Sequence, residues 1–370
     1  MLQKLFVAAI FVLSLNSAIA QVASVTTSSD SANATTDDNK KEPFLTISGS
    51  VDAYYRNDFA DVKTNNYTSF TPLHNSFALG MASIKFQHTG KKVIAVADLG
   101  FGPRAQDFSY TDDGITQAIK QAYVTYIPAD WVKLTMGTWA THVGYELLDP
   151  QFNRNYSMSY MFTNGPFSHT GLKAEFSFGK SGFMVGVSNA TDYRIPPDGM
   201  MNKKFILAQY SYAASDNLKL YLNYVGGQNP DTSKTNQFDA VITAKINDKF
   251  NIGFNGTVNS TQLWDGDKNE DGKCWWGSAL YLNVDPQPWW GITLRGELFS
   301  DKNQLKVYSG SPEGGNVFAT TLSANFKTGG FIFIPEFRID NASKNTIFTN
   351  KDGEMTKSAA SFIIAAVYSF

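Results

Sequence analysis

The chain has 370 residues, 43% hydrophobic, 14% aromatic and 17% charged, with a formal net charge of -2. A nucleic-acid binder needs a basic surface, so this balance excludes one, and the single cysteine, Cys274, excludes an intrachain disulfide. Beyond the N-terminal segment no run approaches about 18 consecutive apolar residues, so the mature chain has no transmembrane helix.

Residues 1–20 read as a secretory signal. Lys4 supplies the positive start, Leu5 to Leu15 is mostly apolar, and Ala18-Ile19-Ala20 is a small-x-small cleavage site. Gln21 stands where a lipoprotein would carry Cys. Residues 21–43 are rich in Ser, Thr, Asp and Asn, which predicts a disordered periplasmic lead-in.

From Phe44 to Phe370 the dominant pattern is period-two alternation in segments of about ten residues, as lipid-facing strands require. In the first segment Leu45, Ile47, Gly49, Val51, Ala53 and Tyr55 alternate with Thr46, Ser48, Ser50, Asp52, Tyr54 and Arg56. Segments near 93–101, 205–213, 218–225, 238–246, 250–258, 290–299 and 317–326 behave likewise. Two places are irregular. In 116–127, Lys120 shares a parity with Ala122 and Val124, leaving the outward face open. Pro335 cannot donate to a ladder, which predicts a bulge or a strand end.

Seven short turns rich in Gly, Pro, Asn and Asp alternate with eight longer polar stretches. That count predicts an all-β, transmembrane, antiparallel up-and-down β-barrel of about sixteen strands, with short periplasmic turns and long external loops. Trp131, Trp289 and Trp290 fall beside short turns, where a periplasmic aromatic girdle belongs; Tyr55, Phe101 and Phe299 fall toward the long loops. In the last segment Phe362, Ile364, Ala366, Tyr368 and Phe370 share one face. An apolar alternating strand with a terminal Phe resembles the assembly signal read by the barrel-assembly machinery. Closing it onto the first strand removes the free edges.

Barrels of about 16 to 18 strands leave an aqueous channel. With apolar positions facing lipid, the pore-lining set comprises Asp52, Arg56, Asp98, Lys133, Lys173, Glu175, Arg295, Glu297, Glu336 and Arg338, joined by Lys219, Asp239 and Lys245. Charge on an inward face is cheap where water fills it. The competing reading of Lys173/Glu175, Arg295/Glu297 and Glu336/Arg338 is salt bridges that stiffen the wall. The loop 141–168 carries Glu146, Asp149 and Arg154 among many aromatics, too apolar for a solvated loop. It is expected to fold inward as a constriction, or else to form an external cap or a subunit contact.

Asp267, Asn269 and Asp271 match the opening of a calcium loop, D-x-[DN]-x-[DN]-G, but its twelfth position is Ser278 and not Glu. The run is therefore either a weak external calcium site or a solvated acidic turn. A Ser–His–acid set can be drawn from Ser168, His142 and Glu146, with His169 nearby. Neither G-x-S-x-G nor H-E-x-x-H occurs, so no enzymatic activity is expected and these histidines are read as loop packing.

The stretches VGYELLDPQFNRNYSMSYMFTNGPFSHTGLKAEF (143–176), WWGSALYLNVDPQPWWGITLRGELFSD (275–301) and LTISGSVDAYYRND (45–58) resemble the OmpL-like β-barrel porin family. The resemblance runs over nearly all of 44–370. It implies a pore-forming barrel in a Gram-negative outer membrane, with no catalytic residues to carry over. The expected function is passive diffusion of small hydrophilic solutes, narrowed by 141–168. Outer-membrane lipid is a partner, and a homo-oligomer follows only by analogy. The alternative is a surface barrel with a closed lumen whose external loops bind a ligand, calcium or another cell.

Overall fold

The computed structural model describes residues 44–199 and 201–370. The expected signal (1–20) and lead-in (21–43) lie outside the described residues. Sixteen strands close into one antiparallel barrel in which sequence neighbours pair and the last strand returns to the first. They are β1 (Phe44–Asp58), β2 (Ser76–Thr89), β3 (Val93–Phe101), β4 (Ile119–Ala129), β5 (Val132–Ala140), β6 (Ser168–Phe178), β7 (Ser181–Asn189) and β8 (Lys204–Ser215). The second half is β9 (Leu218–Gln228), β10 (Lys234–Lys245), β11 (Phe250–Gln262), β12 (Lys273–Gln287), β13 (Trp290–Asp301), β14 (Gly315–Thr328), β15 (Phe331–Ala342) and β18 (Ser358–Ser369). Strands β16 (Phe348–Thr349) and β17 (Met355–Thr356) form a small separate hairpin. Two short helices, α1 (Pro103–Phe108) and α2 (Tyr160–Asn164), lie in connections.

Alternation decides the faces. On β18, Ile363, Ala365 and Val367 are buried inward while Ile364, Tyr368 and Phe370 are exposed on the outer face. Lipid offers no hydrogen bonds, so only closure satisfies every strand's backbone. Short turns gather at one end; Gly179 and Gly329 there have φ of 59° and 57°, the left-handed region tight hairpins need. The long connections, including 59–75, 102–118, 141–167 and 343–357, gather at the other.

Lys120 is an inserted residue. The β3–β4 register steps from Asp98↔Gln121 to Leu99↔Ile119, so a bulge turns Lys120 inward against its sequence parity. Pro335 corrects the expectation of a bulge or strand end. The β14–β15 register is the same on either side of it (Ser323↔Glu336 and Phe326↔Phe333), and Pro335 pairs with Ile364 of β18. A strand residue sends its N–H toward one neighbour only, so the missing donor costs a single ladder bond. Phe299 is a second correction: it is fully buried inside the barrel against Trp275 and Tyr160, not part of an outer girdle. Trp131, by contrast, stacks with Phe176 and Phe178 outside.

At the seam, Gly49 and Phe370 exchange backbone hydrogen bonds of 3.0 Å in both directions. A Cβ on Gly49 would stand 2.7 Å from the Phe370 ring and 2.7 Å from the Ser83 carbonyl oxygen. The ring covers the glycine and seals the last pair of the closing ladder. Gly49→Val should lower the folded fraction through overpacking of about 1–3 kcal/mol, seen as loss of the fast-migrating unheated band on a gel. Adding Phe370→Ala should restore only part of it, because the Ser83 carbonyl remains in the way.

Candidate functional site

The connection between β5 and β6, residues 141–167, runs inside the barrel. Its three charges each hold a different wall strand. Glu146 accepts from Arg295 of β13, from the Tyr281 hydroxyl at 3.2 Å and from the Ser159 N–H at 2.7 Å. Asp149 accepts from Lys120 at the β4 bulge. Arg154 makes a two-pronged pair with Asp285 of β12, the geometry guanidinium and carboxylate share.

The wall also binds the loop's main chain. Glu336 accepts from the N–H of Tyr156 at 2.7 Å and of Ser157 at 3.0 Å. Glu297 accepts from the N–H of Tyr160 and Met161, both at 2.9 Å. These last two open α2, where helix N–H groups have no internal acceptor; Ser159 caps the third, at Phe162, at 3.0 Å. The carbonyls are met by arginines: Ser157 by Arg295 at 2.8 Å and Met158 by Arg338 at 2.7 Å. Wall glycines leave seats for loop side chains. Tyr145 lies over Gly253 and stacks on Tyr281 at 4.1 Å, and Met161 fills the space a Cβ on Gly277 would need.

This corrects the picture of these charges in water. Asp52, Arg56, Arg295, Glu297, Glu336 and Arg338 are between 0% and 4% exposed, held against loops. Of the three sequence pairs only Lys173 and Glu175 bond each other, at 3.3 Å; the others turn to the loop backbone. Asp52 accepts from the N–H of Met81, where β1 and β2 shift register, and from the Tyr156 hydroxyl. Arg56 lies 3.4 Å from Asp58. Asp239 accepts from the Gly144 N–H at 3.1 Å. Arg104 of α1, which the sequence reading missed, is buried between the rings of Phe70 (5.0 Å) and Tyr156 (4.8 Å).

Open space is unevenly divided: a small gap lies between the loop and Gln237, Asp239, Asn255 and Thr257 of β10 and β11, and a much larger one lies on the other side. A cavity of about 520 Å³ lies between the loop and the wall β1–β6, lined by Lys85, Asp98, Lys120, Lys133, Lys173 and Glu175 among others, with Phe162 and Phe167 on the loop side. At the long-loop end, Asn65 and Thr349 exchange two 2.9 Å bonds, and the Tyr67 hydroxyl donates to the Ile347 carbonyl at 2.6 Å, tying the loops 59–75 and 343–357 together over the cluster of Tyr160, Trp275 and Phe299.

His142 Nε2 donates to the Tyr224 carbonyl at 3.1 Å, and burial pushes the ring down to about 4, so it is neutral at pH 7. His169 bonds the Thr141 hydroxyl at 3.0 Å. Among the described residues no hydrogen bond joins Ser168, His142 and Glu146. In the acidic turn Asp265 accepts from the N–H of Asp267 and Lys268, both at 2.8 Å. Among the described residues no three His, Cys, Asp or Glu side chains converge on a metal position, Asp267 and Asp271 included.

A closed sixteen-strand antiparallel barrel with short turns at one end and a long loop folded into its lumen is a porin of the outer membrane. The chain belongs to the family described as Putative beta-barrel porin-2, OmpL-like, whose model matches residues 44–370. No curated protein matches it. Among solved structures it is similar to the outer membrane channel DcaP of Acinetobacter baumannii, with 12% identity, 91% of this chain and 100% of that one covered, and a TM-score of 0.60. It is also similar to an anion-selective porin from Comamonas acidovorans (10% identity, 89% and 100% covered, TM-score 0.58). A third is OmpT of Vibrio cholerae (11% identity, 91% and 99% covered, TM-score 0.57); another OmpT structure, TM-score 0.58, is described as a trimer form. At these identities the likeness is one of fold.

Glu297→Ala should destabilise the barrel by about 2–6 kcal/mol, since it strands two buried N–H donors at roughly 1–3 kcal/mol each. Glu297→Gln, which keeps an acceptor, should cost less; urea unfolding in detergent micelles measures both. A pH effect follows from Asp192, in the loop after β7. It accepts from the N–H of Phe167 (2.7 Å) and Ser168 (2.8 Å), and burial pushes its carboxyl up to about 6. A raised folded value means its contribution is full below about 3.9, the unfolded value, and is lost as pH rises through 6. The wild type should therefore lose more stability between pH 4.5 and 7.5 than Asp192→Asn does, read as the difference in thermal midpoints.

Proposed function

We propose that the protein conducts small hydrophilic solutes passively along the off-centre space between the loop 141–167 and the wall β1–β6. The carrying observation is which charges line the open space. Lys85, Lys120, Lys133 and Lys173 line this cavity with Asp98, Asp149 and Glu175, of which Lys85, Lys133 and Asp149 are partly exposed, whereas the charges of β13 and β15 are taken up by the backbone of the loop. Four cations against three anions leave a slight positive excess, which favours anions weakly. The same sign is carried by the name of the Comamonas acidovorans relative. On this reading there is no catalytic site and no cofactor, and the turn at 265–272 is a solvated acidic turn. The face formed by Phe362, Ile364, Tyr368 and Phe370 is what the barrel-assembly machinery reads, and the barrel works as a homo-oligomer, as the trimer form of OmpT suggests.

A second reading has support in the filled lumen and the joined loops 59–75 and 343–357: a closed barrel whose external loops bind a partner. Single-channel recording in a planar bilayer separates the two. A conducting pore should give steady steps, with a small reversal potential on the anion side in a salt gradient. Shortening 153–163 should enlarge the steps severalfold. A folded barrel that stays silent, with or without that segment, would overturn the channel reading.

A further inference from the structure

We propose that the outer rim of β8, β9 and β10, at the long-loop end, holds the phosphate of an outer-leaflet lipid. Three lysines meet there. Lys234 pairs with Gln228 across β10 and β9, and the register Phe205↔Gly227 sets Lys204 of β8 level with the same glutamine. Lys203 donates to Gln228 Oε1 at 2.9 Å. By alternation Lys204 and Lys234 point outward, with Ile206 and Phe238, while Phe205, Leu207, Gln237 and Asp239 are buried inward. Neighbouring strands are about 4.8 Å apart, so the two outward lysines stand roughly 10 Å apart across Gln228. Their side chains are long enough to reach one phosphate between them.

Among the described residues no carboxylate lies within ion-pair distance of Lys203, Lys204 or Lys234, whereas at the same end Lys273 pairs with Glu270 at 2.9 Å and Lys344 with Glu313 at 2.7 Å. Lys204 folds back onto the carbonyls of Met201 and Lys203. The nearby Asp231 is occupied by its own turn, accepting from the Ser233 N–H at 3.0 Å and its hydroxyl at 2.6 Å.

The surface below the lysines selects a lipid over a free anion. Tyr224 donates to Asn236 at 2.8 Å on the outer face, a polar pair at the level where aromatic residues meet headgroups. Beside and beneath it Ile206, Phe238 and Leu222 are exposed and apolar, a surface for an acyl chain. Inorganic phosphate gains nothing from that surface; a phosphorylated glycolipid uses both parts.

The test uses the refolded full chain in detergent micelles, titrated with phosphorylated lipid A and with its dephosphorylated form, and read by native mass spectrometry. The phosphorylated lipid should be retained and the dephosphorylated one should not, with inorganic phosphate unable to displace it. Affinity should fall about fivefold for each lysine replaced and about a hundredfold in K203Q/K204Q/K234Q. K273Q/K344Q should bind as the wild type does, and heat-modifiable gel mobility confirms folding. If the triple variant does not fold, Lys234→Gln alone carries the test, with its fivefold loss. Equal retention of the two lipids, an unchanged triple or single variant, or an equal loss in the control would overturn the proposal, as would displacement by inorganic phosphate.

Discussion

The interior of this barrel depends on carboxylates and guanidiniums of the wall binding the main chain of one loop. A segment of irregular backbone placed inside a protein must find partners for its N–H and C=O groups, or lose about 1–3 kcal/mol for each one stranded. Here β13 and β15 present an acid and a base two residues apart on the same face, Arg295 with Glu297 and Glu336 with Arg338. The acids take N–H groups and the bases take carbonyls. A buried charge is itself expensive unless hydrogen-bonded, so each side of the contact removes the other's penalty. Loss of either leaves two faults.

From that contact follows the division of the lumen. The wall from β12 to β15 meets Tyr145, Met161 and Tyr160 in one apolar cluster, with Trp275, Phe299 and Tyr281 fully or almost fully buried. The wall from β2 to β6 meets a cavity and carries Lys85, Lys133, Lys173 and Glu175 into it. Gly253 and Gly277 belong to this arrangement, because a side chain at either would occupy the volume the loop takes. A bilayer surrounds both halves alike, and the outer face shows no trace of the difference.

That uniform exterior explains what was legible in the sequence. Lipid imposes strict alternation, so the strands, their number and the faces of β1, β13 and β18 could be read from residue order. Lys120 could not, because its inward turn depends on a bulge set by pairing with Asp98 in another strand. Phe299 has the parity of Arg295 and Glu297, and only its placement among rim aromatics misled. The inward charges were identified as inward, but their partners were not. Glu336 meets Tyr156, 180 positions away, and Glu297 meets Tyr160, 137 away; nothing local in either stretch announces the other. The apolar character of 141–168 was the one signal that pointed to an inward loop, and it could not say which wall the loop would hold.

Those long separations bear on the order in which the molecule is made. The loop lies in the first half of the chain, and the strands that grip it, β12, β13 and β15, come in the second. Contacts so distant in sequence form late and slowly. Tyr156 also reaches back to Asp52 on β1, the strand that pairs with β18 to close the wall. Once that seam is zipped, a segment bearing Tyr156, Tyr160 and Phe162 would have to be threaded past the joined outer loops. The first strand and the late strands β13 and β15 thus hold one and the same segment, so seating the plug and closing the vessel draw on a single set of contacts.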